Sequence, residues 1–125
     1  MDDSETCGRI EVGMNGQAQN LCGLLSLRQS AEVYRRARVV LTGDSAPQHI
    51  AAAMDTGVVS IFGPTVREFG FWPYNEKSII LEEAVKCRPC GIHGHRACPL
   101  GTHECMKKVV PENVIPVIEK LFAGA

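Results

Sequence analysis

Three short apolar runs, each followed by a polar turn, organise the middle of the chain. They cover residues 39–41, 58–62 and 78–81, and their β-branched residues predict strands. The first run has no polar position, which is typical of a strand covered on both faces. The stretch after it carries Pro47 and then several alanines, a pattern that favours a helix with the proline in its first turn. Strands separated by helical segments predict a parallel α/β sheet.

Further elements are predicted around this sheet. Residues 4–14 indicate a short helix, and residues 19–23 indicate a brief strand stopped by glycine. Ser26 and Gln29 form a capping-box pattern, which marks the start of another helix. Pro111 opens the last helix. The order of these elements predicts a three-layer, Rossmann-like parallel sheet with helices on both faces.

The helix after the first strand of the central unit is predicted to start at the ligand-binding edge of the sheet. Ile50 and Met54 share one face of that helix, and its alanines allow a close approach to the sheet. Two glycine-containing turns, residues 43–45 and 63–65, follow neighbouring strands and therefore lie side by side at the carboxyl edge. The helix N-terminus there, with His49 in its first turn, predicts an anion-binding site that suits a phosphate.

Composition limits the class of protein. The 125 residues form one predicted domain, residues 1–125, and the formal net charge of −1 gives no indication of nucleic-acid binding. The first six residues are acidic and polar, unlike a signal peptide, and no apolar run approaches the ~20 residues of a membrane span. We therefore predict a cytoplasmic protein, and peripheral contact with the inner face of the inner membrane stays open.

Four of the six cysteines lie in a Cys-rich loop, residues 87–105. Cys87 and Cys90 have the C-x₂-C spacing with which two thiolates bind one Zn²⁺. Cys98 and Cys105 complete a four-cysteine set, although they are farther apart than a usual zinc pair. Structural zinc, reduced thiols and a disulfide are all compatible with this spacing, and no cofactor or metal is assigned. Three histidines are alternative ligands: His93, His95 and His103.

Three motifs, in this order, resemble those of the ADP-heptose–lipopolysaccharide heptosyltransferases. They are Asp-Ser-Ala-Pro-Gln-His-Ile-Ala-Ala at 44–52, Phe-Gly-Pro-Thr at 62–65, and the cysteine run at 87–105. The resemblance implies a GT-B enzyme with two facing Rossmann-like domains, of which the C-terminal one binds the sugar nucleotide. This chain resembles the later part of that donor-binding domain. The acceptor domain, its catalytic carboxylate and a basic residue near the phosphates have no counterpart here.

The resemblance also implies the donor-nucleotide site. Backbone N–H groups and the Ser45 hydroxyl would cradle the diphosphate, and His49 would donate to a phosphate oxygen. From the residues alone, Asp44 and Ser45 equally suit an ordinary N-cap, and His49 suits a core histidine. Ala46 departs from the family pattern, where glycine is usual, and its methyl group either crowds a pyrophosphate or blocks a positive φ. The implied site residues are Asp44, Ser45, Ala46, His49, Gly63 and Thr65.

The implied reaction transfers heptose from ADP-heptose to a lipid-linked glycan, the lipopolysaccharide core. We expect the fragment to be inactive alone, with the general base in the missing N-terminal domain. The alternative is a non-catalytic nucleotide-binding or zinc-stabilised interaction module. We also expect that an exposed sheet edge pairs with a second copy to form a homo-oligomer.

Overall fold

Three parallel strands form the sheet in a computed structural model, which describes residues 3–124. They are β1 (Val39–Gly43), β2 (Gly57–Phe62) and β3 (Ile79–Glu82), in the spatial order β1-β2-β3. The register places Val40 beside Val58 and Ser60 beside Ile80. The parallel α/β sheet predicted from the apolar runs is confirmed.

Five helices accompany the sheet within the described residues. α3 connects β1 to β2, whereas a 3₁₀ turn and a loop connect β2 to β3. α4 is a single turn that begins at the end of the Cys-rich loop, and the sequence pattern did not predict it. The helices are α1 (Ser4–Gly13), α2 (Leu27–Arg36), α3 (Ala46–Ala53), α4 (Glu104–Lys107) and α5 (Pro111–Ala123), and the 3₁₀ turn is Arg67–Phe69.

The chain divides into two compact units, one ending at Ser30 and the other beginning at Ala31. The prediction of one domain over residues 1–125 stays a prediction. The second unit contains the whole sheet. Between residues 3 and 124, the structure contains no helix of the length and apolar character that a membrane crossing requires.

In the first unit, the strand predicted at residues 19–23 is wrong. The Leu24 N–H donates to the Leu21 carbonyl at 3.1 Å, and Gly23 has a φ of 71°, so the backbone turns here. The Asn20 side chain accepts the Cys22 N–H at 3.0 Å. This local side-chain bond competes with an extended conformation, which explains the error.

The capping box at the start of α2 is confirmed. The Gln29 side chain accepts the Ser26 N–H at 2.8 Å, and the Ser26 hydroxyl lies 3.4 Å from the Gln29 N–H that it accepts. Two amides that the helix itself cannot satisfy thereby gain acceptors. The sequence signal alone was sufficient here because all of its groups lie within four residues.

The core of the second unit lies between α3 and the sheet. Val40, Ala51 and Val58 form its centre, and Ala51 and Val58 are completely buried. The face of α3 that packs here carries Gln48 and Ala51, whereas Ile50 and Met54, which share another face, are half-buried. The alanine allows the close helix–sheet approach that the sequence indicated, but it also brings a glutamine into the interior.

Both faces of β2 are covered. Ser60 donates to Gln48 of α3, and Val59, which alternation places on the opposite face, is 0% exposed. α5 packs against β1 and β2 as well, which completes the three layers. β1 differs, because Leu41 is 50% exposed. The prediction that β1 is covered on both faces is therefore wrong, since only Val40 is fully packed.

Candidate functional site

A cleft of about 550 Å³ opens where β1 and β2 end. The turns after the two strands lie beside each other there, as parallel topology requires. The start of α3 forms one wall, and the turn after β2 forms the next. All six site residues predicted from the sequence line this cleft: Asp44, Ser45, Ala46, His49, Gly63 and Thr65.

The start of α3 leaves few amides for a ligand. Ser45 precedes the helix in an extended conformation, and its side chain makes no capping hydrogen bond. Pro47 has no N–H, and the Gln48 N–H donates to the Ser45 carbonyl at 3.1 Å. The Ala46 N–H is the amide at the tip of the helix, where the dipole is positive. Ser45 thus occupies the N-cap position, but its hydroxyl makes no capping hydrogen bond and is available to a ligand.

Ala46 adopts its backbone conformation without the strain that a positive φ would cause at an alanine. It is the first residue of α3 and is not among the described non-glycine residues with a positive φ. The residue is also exposed, so its methyl group meets the cleft and not the protein interior. An alanine at this point is therefore compatible with the backbone.

Asp44, at the edge of the cleft, is held in a polar network. Its Oδ1 accepts the Gln48 side-chain amide at 2.7 Å, and its Oδ2 accepts the Thr65 hydroxyl at 2.6 Å. Gln48, which is fully buried, also donates to the Phe71 carbonyl at 2.7 Å and accepts the Ser60 hydroxyl at 2.6 Å. Buried polar groups are stable in this arrangement because each finds a partner. The carboxylate therefore ties the two turns together.

His49 is exposed and faces the cleft. Its Nε2 lies 3.5 Å from the Gln48 side-chain nitrogen, at the limit of a hydrogen bond. A core histidine satisfied by a carbonyl is therefore not what the structure contains. The imidazole is placed to contact a molecule in the cleft.

The far wall of the cleft was missed by the sequence reasoning. Phe71, from the aromatic loop after β2, contacts His93 with the ring centroids 5.7 Å apart. Met106 of α4 completes the wall. The aromatic loop, residues 69–74, is recognisable in the sequence by its four aromatic side chains, whereas the sequence predicts His93 only as an alternative metal ligand. No local pattern places Met106 here, because α4 reaches the cleft through the fold of the Cys-rich loop.

The Cys-rich loop packs directly on the turn after β2. A Cβ added at Gly63 would collide with the Met106 sulfur, and one added at Gly94 would come within 2.6 Å of the Pro64 ring. The Cys90 N–H donates to the Pro64 carbonyl at 2.9 Å. A glycine suits position 63 because the Met106 sulfur takes the space of a Cβ there.

Charges around the cleft are few. Among the described residues that line it there is one carboxylate, Asp44, and two imidazoles, His49 and His93, with no lysine or arginine. An anion in the cleft is therefore met by the helix dipole, hydroxyls and imidazoles, and not by a permanent cation. This composition limits how tightly the chain alone binds a diphosphate.

The six cysteines are free thiols. Cys90, Cys98 and Cys105 border a second cavity of about 230 Å³. Burial and the neighbouring Cys87 raise the pKa of the Cys90 thiol, whereas the backbone N–H of His103 and those beside it lower the pKa of Cys98. Within residues 3–124, no three His, Cys, Asp or Glu side chains are grouped to hold a metal ion.

Comparison with known proteins identifies the family. The family model for glycosyltransferase family 9 (heptosyltransferase) matches residues 1–100 of this chain. The chain belongs to glycosyltransferase family 9. Among curated members of this family, it is 32% identical over 123 residues to lipooligosaccharide heptosyltransferase 2 of Campylobacter jejuni serotype O:6. It is 25% identical over 127 residues to lipopolysaccharide heptosyltransferase 2 of Salmonella typhimurium.

The family 9 chain is much shorter than these relatives. The matches cover 95% and 97% of this chain but only 38% and 35% of the Campylobacter and Salmonella proteins. The chain thus spans little more than a third of the length of the curated relatives it matches.

Two solved structures share the fold. The ADP-heptose lipopolysaccharide heptosyltransferase II of Escherichia coli superposes with a TM-score of 0.77 at 22% identity. The family 9 glycosyltransferase of Veillonella parvula superposes with a TM-score of 0.73 at 20% identity. Each match covers 98% of this chain and 34% of the other. The predicted fold, part of a Rossmann-like GT-B domain, is confirmed.

Proposed function

We propose that this chain forms the donor-nucleotide side of a heptosyltransferase. The complete enzyme would transfer heptose from ADP-heptose to a lipopolysaccharide core acceptor. The observation that carries the proposal is the position of the six predicted site residues around one cleft at the start of α3. Family membership and the names of the curated relatives support the same reaction.

The cleft offers complementary groups to a diphosphate. The Ala46 N–H and the positive end of the α3 dipole would face one phosphate. The Ser45 hydroxyl, which lies 3.4 Å from the Gly43 carbonyl, rotates freely enough to donate to a phosphate oxygen. His49 would donate a further hydrogen bond. As the bond between the sugar and the diphosphate breaks, negative charge grows on the leaving nucleotide, and these donors would stabilise it.

We propose that the general base and the acceptor site lie in the part of the enzyme that this chain does not span. The chain alone then binds ADP weakly and does not catalyse transfer, because neither the base nor the acceptor is present. A location in the cytoplasm, with peripheral contact at the inner face of the inner membrane, belongs to the same proposal, since the donor is a soluble nucleotide sugar and the acceptor is lipid-linked.

Titration with ADP, followed by NMR of the backbone amides, tests the nucleotide site. We expect the signals of Ser45, Ala46 and His49 to move, and the movement to be much smaller in His49→Ala. His95→Ala is the matched control, because His95 borders the second cavity and not the cleft. An unchanged spectrum at millimolar ADP would contradict the proposal. If elemental analysis then found bound zinc, the non-catalytic module would be the better description.

A further inference from the structure

The guanidinium of Arg88 joins the end of β3 to the turn after β2. Its side chain is only 6% exposed and does not line the cleft. Nη2 donates to the Thr65 carbonyl at 2.5 Å and to Glu82 Oε2 at 2.7 Å, while Nη1 donates to the Glu83 carbonyl at 2.6 Å. The buried Arg88 side chain therefore binds the backbone of Thr65, a residue that lines the cleft.

The surroundings of Arg88 show which contacts retain it. A buried guanidinium is unfavourable unless its N–H groups and its charge are satisfied. Glu82 balances the charge, but the buried Arg88 Nε has no hydrogen-bond partner within residues 3–124. The side chain is thus held by its two terminal nitrogens, and the Thr65 carbonyl is the contact through which it reaches the cleft.

Thr65 is fixed from two directions. Arg88 binds its carbonyl, and its hydroxyl donates to Asp44 at 2.6 Å. The preceding carbonyl, of Pro64, accepts the Cys90 N–H at 2.9 Å. Two consecutive peptide groups of the turn are therefore bound by the start of the Cys-rich loop, and this sets the direction in which the Thr65 side chain points.

We propose that Arg88 is a positioning residue for the nucleotide site. It acts through Thr65, whose hydroxyl holds Asp44 and so keeps the turn after β2 against the start of α3. This inference rests on the function proposed above, and it adds a residue that touches no ligand. Lysine at this position keeps the positive charge but lacks the planar fork that binds a carbonyl and a carboxylate together.

The first experiment compares the 125-residue chain with Arg88→Lys by ADP titration and circular dichroism. We expect the variant to fold, its ADP affinity to fall about fivefold or more, and the Thr65 and Ser45 amide signals to shift without nucleotide. Arg36→Lys is the matched control, because Arg36 forms an exposed ion pair with Glu32. An affinity equal to that of the wild type in folded Arg88→Lys would overturn the proposal.

A double-mutant cycle with Thr65→Val separates positioning from general stabilisation. If Arg88 acts through Thr65, adding Arg88→Lys to Thr65→Val causes little further loss of ADP affinity. Additive losses would refute this route. A wild-type protein that does not respond to ADP refutes the proposed function instead. In that case the positioning role is tested by the Thr65 amide signal in the absence of nucleotide. A signal at the same position in the wild type and in Arg88→Lys would refute that role.

Discussion

The Asp44 carboxylate accepts the Thr65 hydroxyl at 2.6 Å, across the space between the turns after β1 and β2. The two residues are 21 positions apart in sequence, so this bond fixes the spacing of two cleft walls. Thr65 is 5% exposed, which shields the bond from water. The Asp44 carboxylate, whose two oxygens are bound by Gln48 and Thr65, thus helps to shape the cleft that it lines.

Thr65→Val should destabilise the protein without changing the shape of the side chain. The variant leaves Oδ2 of the half-buried Asp44 without its donor, and the loss of a hydrogen bond to a charged group costs about 1–3 kcal/mol. Urea unfolding followed by circular dichroism measures the loss. Thr102→Val is the control. Thr102 is exposed, so removing its hydroxyl leaves no buried group without a hydrogen-bond partner. Equal unfolding midpoints for the two variants would show that the Asp44–Thr65 bond contributes nothing.

Gly63→Ala should be destabilising because the new Cβ would collide with the Met106 sulfur. We expect a loss of about 1 kcal/mol, because the Met106 side chain, which is 46% exposed, can change its rotamer to make room. The double variant Gly63→Ala/Met106→Ala relieves the collision. Its loss in the free energy of unfolding should therefore be smaller than the sum of the losses in the two single variants. Gly8→Ala is the control, because a Cβ there meets nothing within 4 Å and alanine favours helix α1. Additivity of the two single changes would contradict the collision.

Glu32 should contribute stability that depends on pH. Hydrogen bonds from Arg35 and then Arg36 lower the pKa of Glu32 from 4.5 to about 2. A carboxylate with a lowered pKa stabilises the folded state fully above its unfolded value, and the contribution disappears as the pH falls from 4.5 towards 2. Glu32→Gln should therefore be less stable than the wild type at neutral pH and equal to it in strong acid.

Urea unfolding at about pH 7, 4 and 2.5 follows this convergence. The pair is exposed, so added salt should reduce the difference at neutral pH. Glu119→Gln, at an exposed position of α5, controls for a general effect of removing one charge. A difference between wild type and Glu32→Gln that persisted unchanged to the lowest pH would contradict the assignment.

We propose that the chain self-associates through β1. This strand ends the sheet, and Leu41 on it is 50% exposed. Edge strands with exposed apolar residues pair readily with another chain, and a lysine there prevents pairing. Leu41→Lys should therefore sediment as a monomer at concentrations where the wild type forms dimers. Leu24→Lys, at a residue that is 71% exposed outside the sheet, is the control. A wild type that stays monomeric at every concentration would contradict this proposal.

Much of the fold followed from local patterns. The strand-turn-helix unit from β1 to α3 and the capping box at Ser26 were predictable because their signals lie within a few residues. The position of the cleft followed from a general property of parallel sheets, whose ligand-binding edge is the carboxyl one. The six site residues came together because two successive turns must meet at that edge.

The remainder depended on contacts between distant residues. Gln48 lies on the buried face of α3, where its polar side chain is stable only because Ser60, Asp44 and the Phe71 carbonyl surround it. Helical spacing alone favours an apolar residue at such a position, so it does not predict a buried glutamine there. Arg88 was overlooked for the same reason, because nothing near it in sequence indicates that its partner is Thr65.

The close contact of Gly63 with Met106 also restricts how homologous sequences can diverge. The sulfur of the methionine takes the volume that any larger residue at position 63 needs. A homologue that acquires a side chain there must turn the side chain at 106 away, shorten it or move α4 from the sheet. We therefore expect these two positions, 43 residues apart, to change together during evolution.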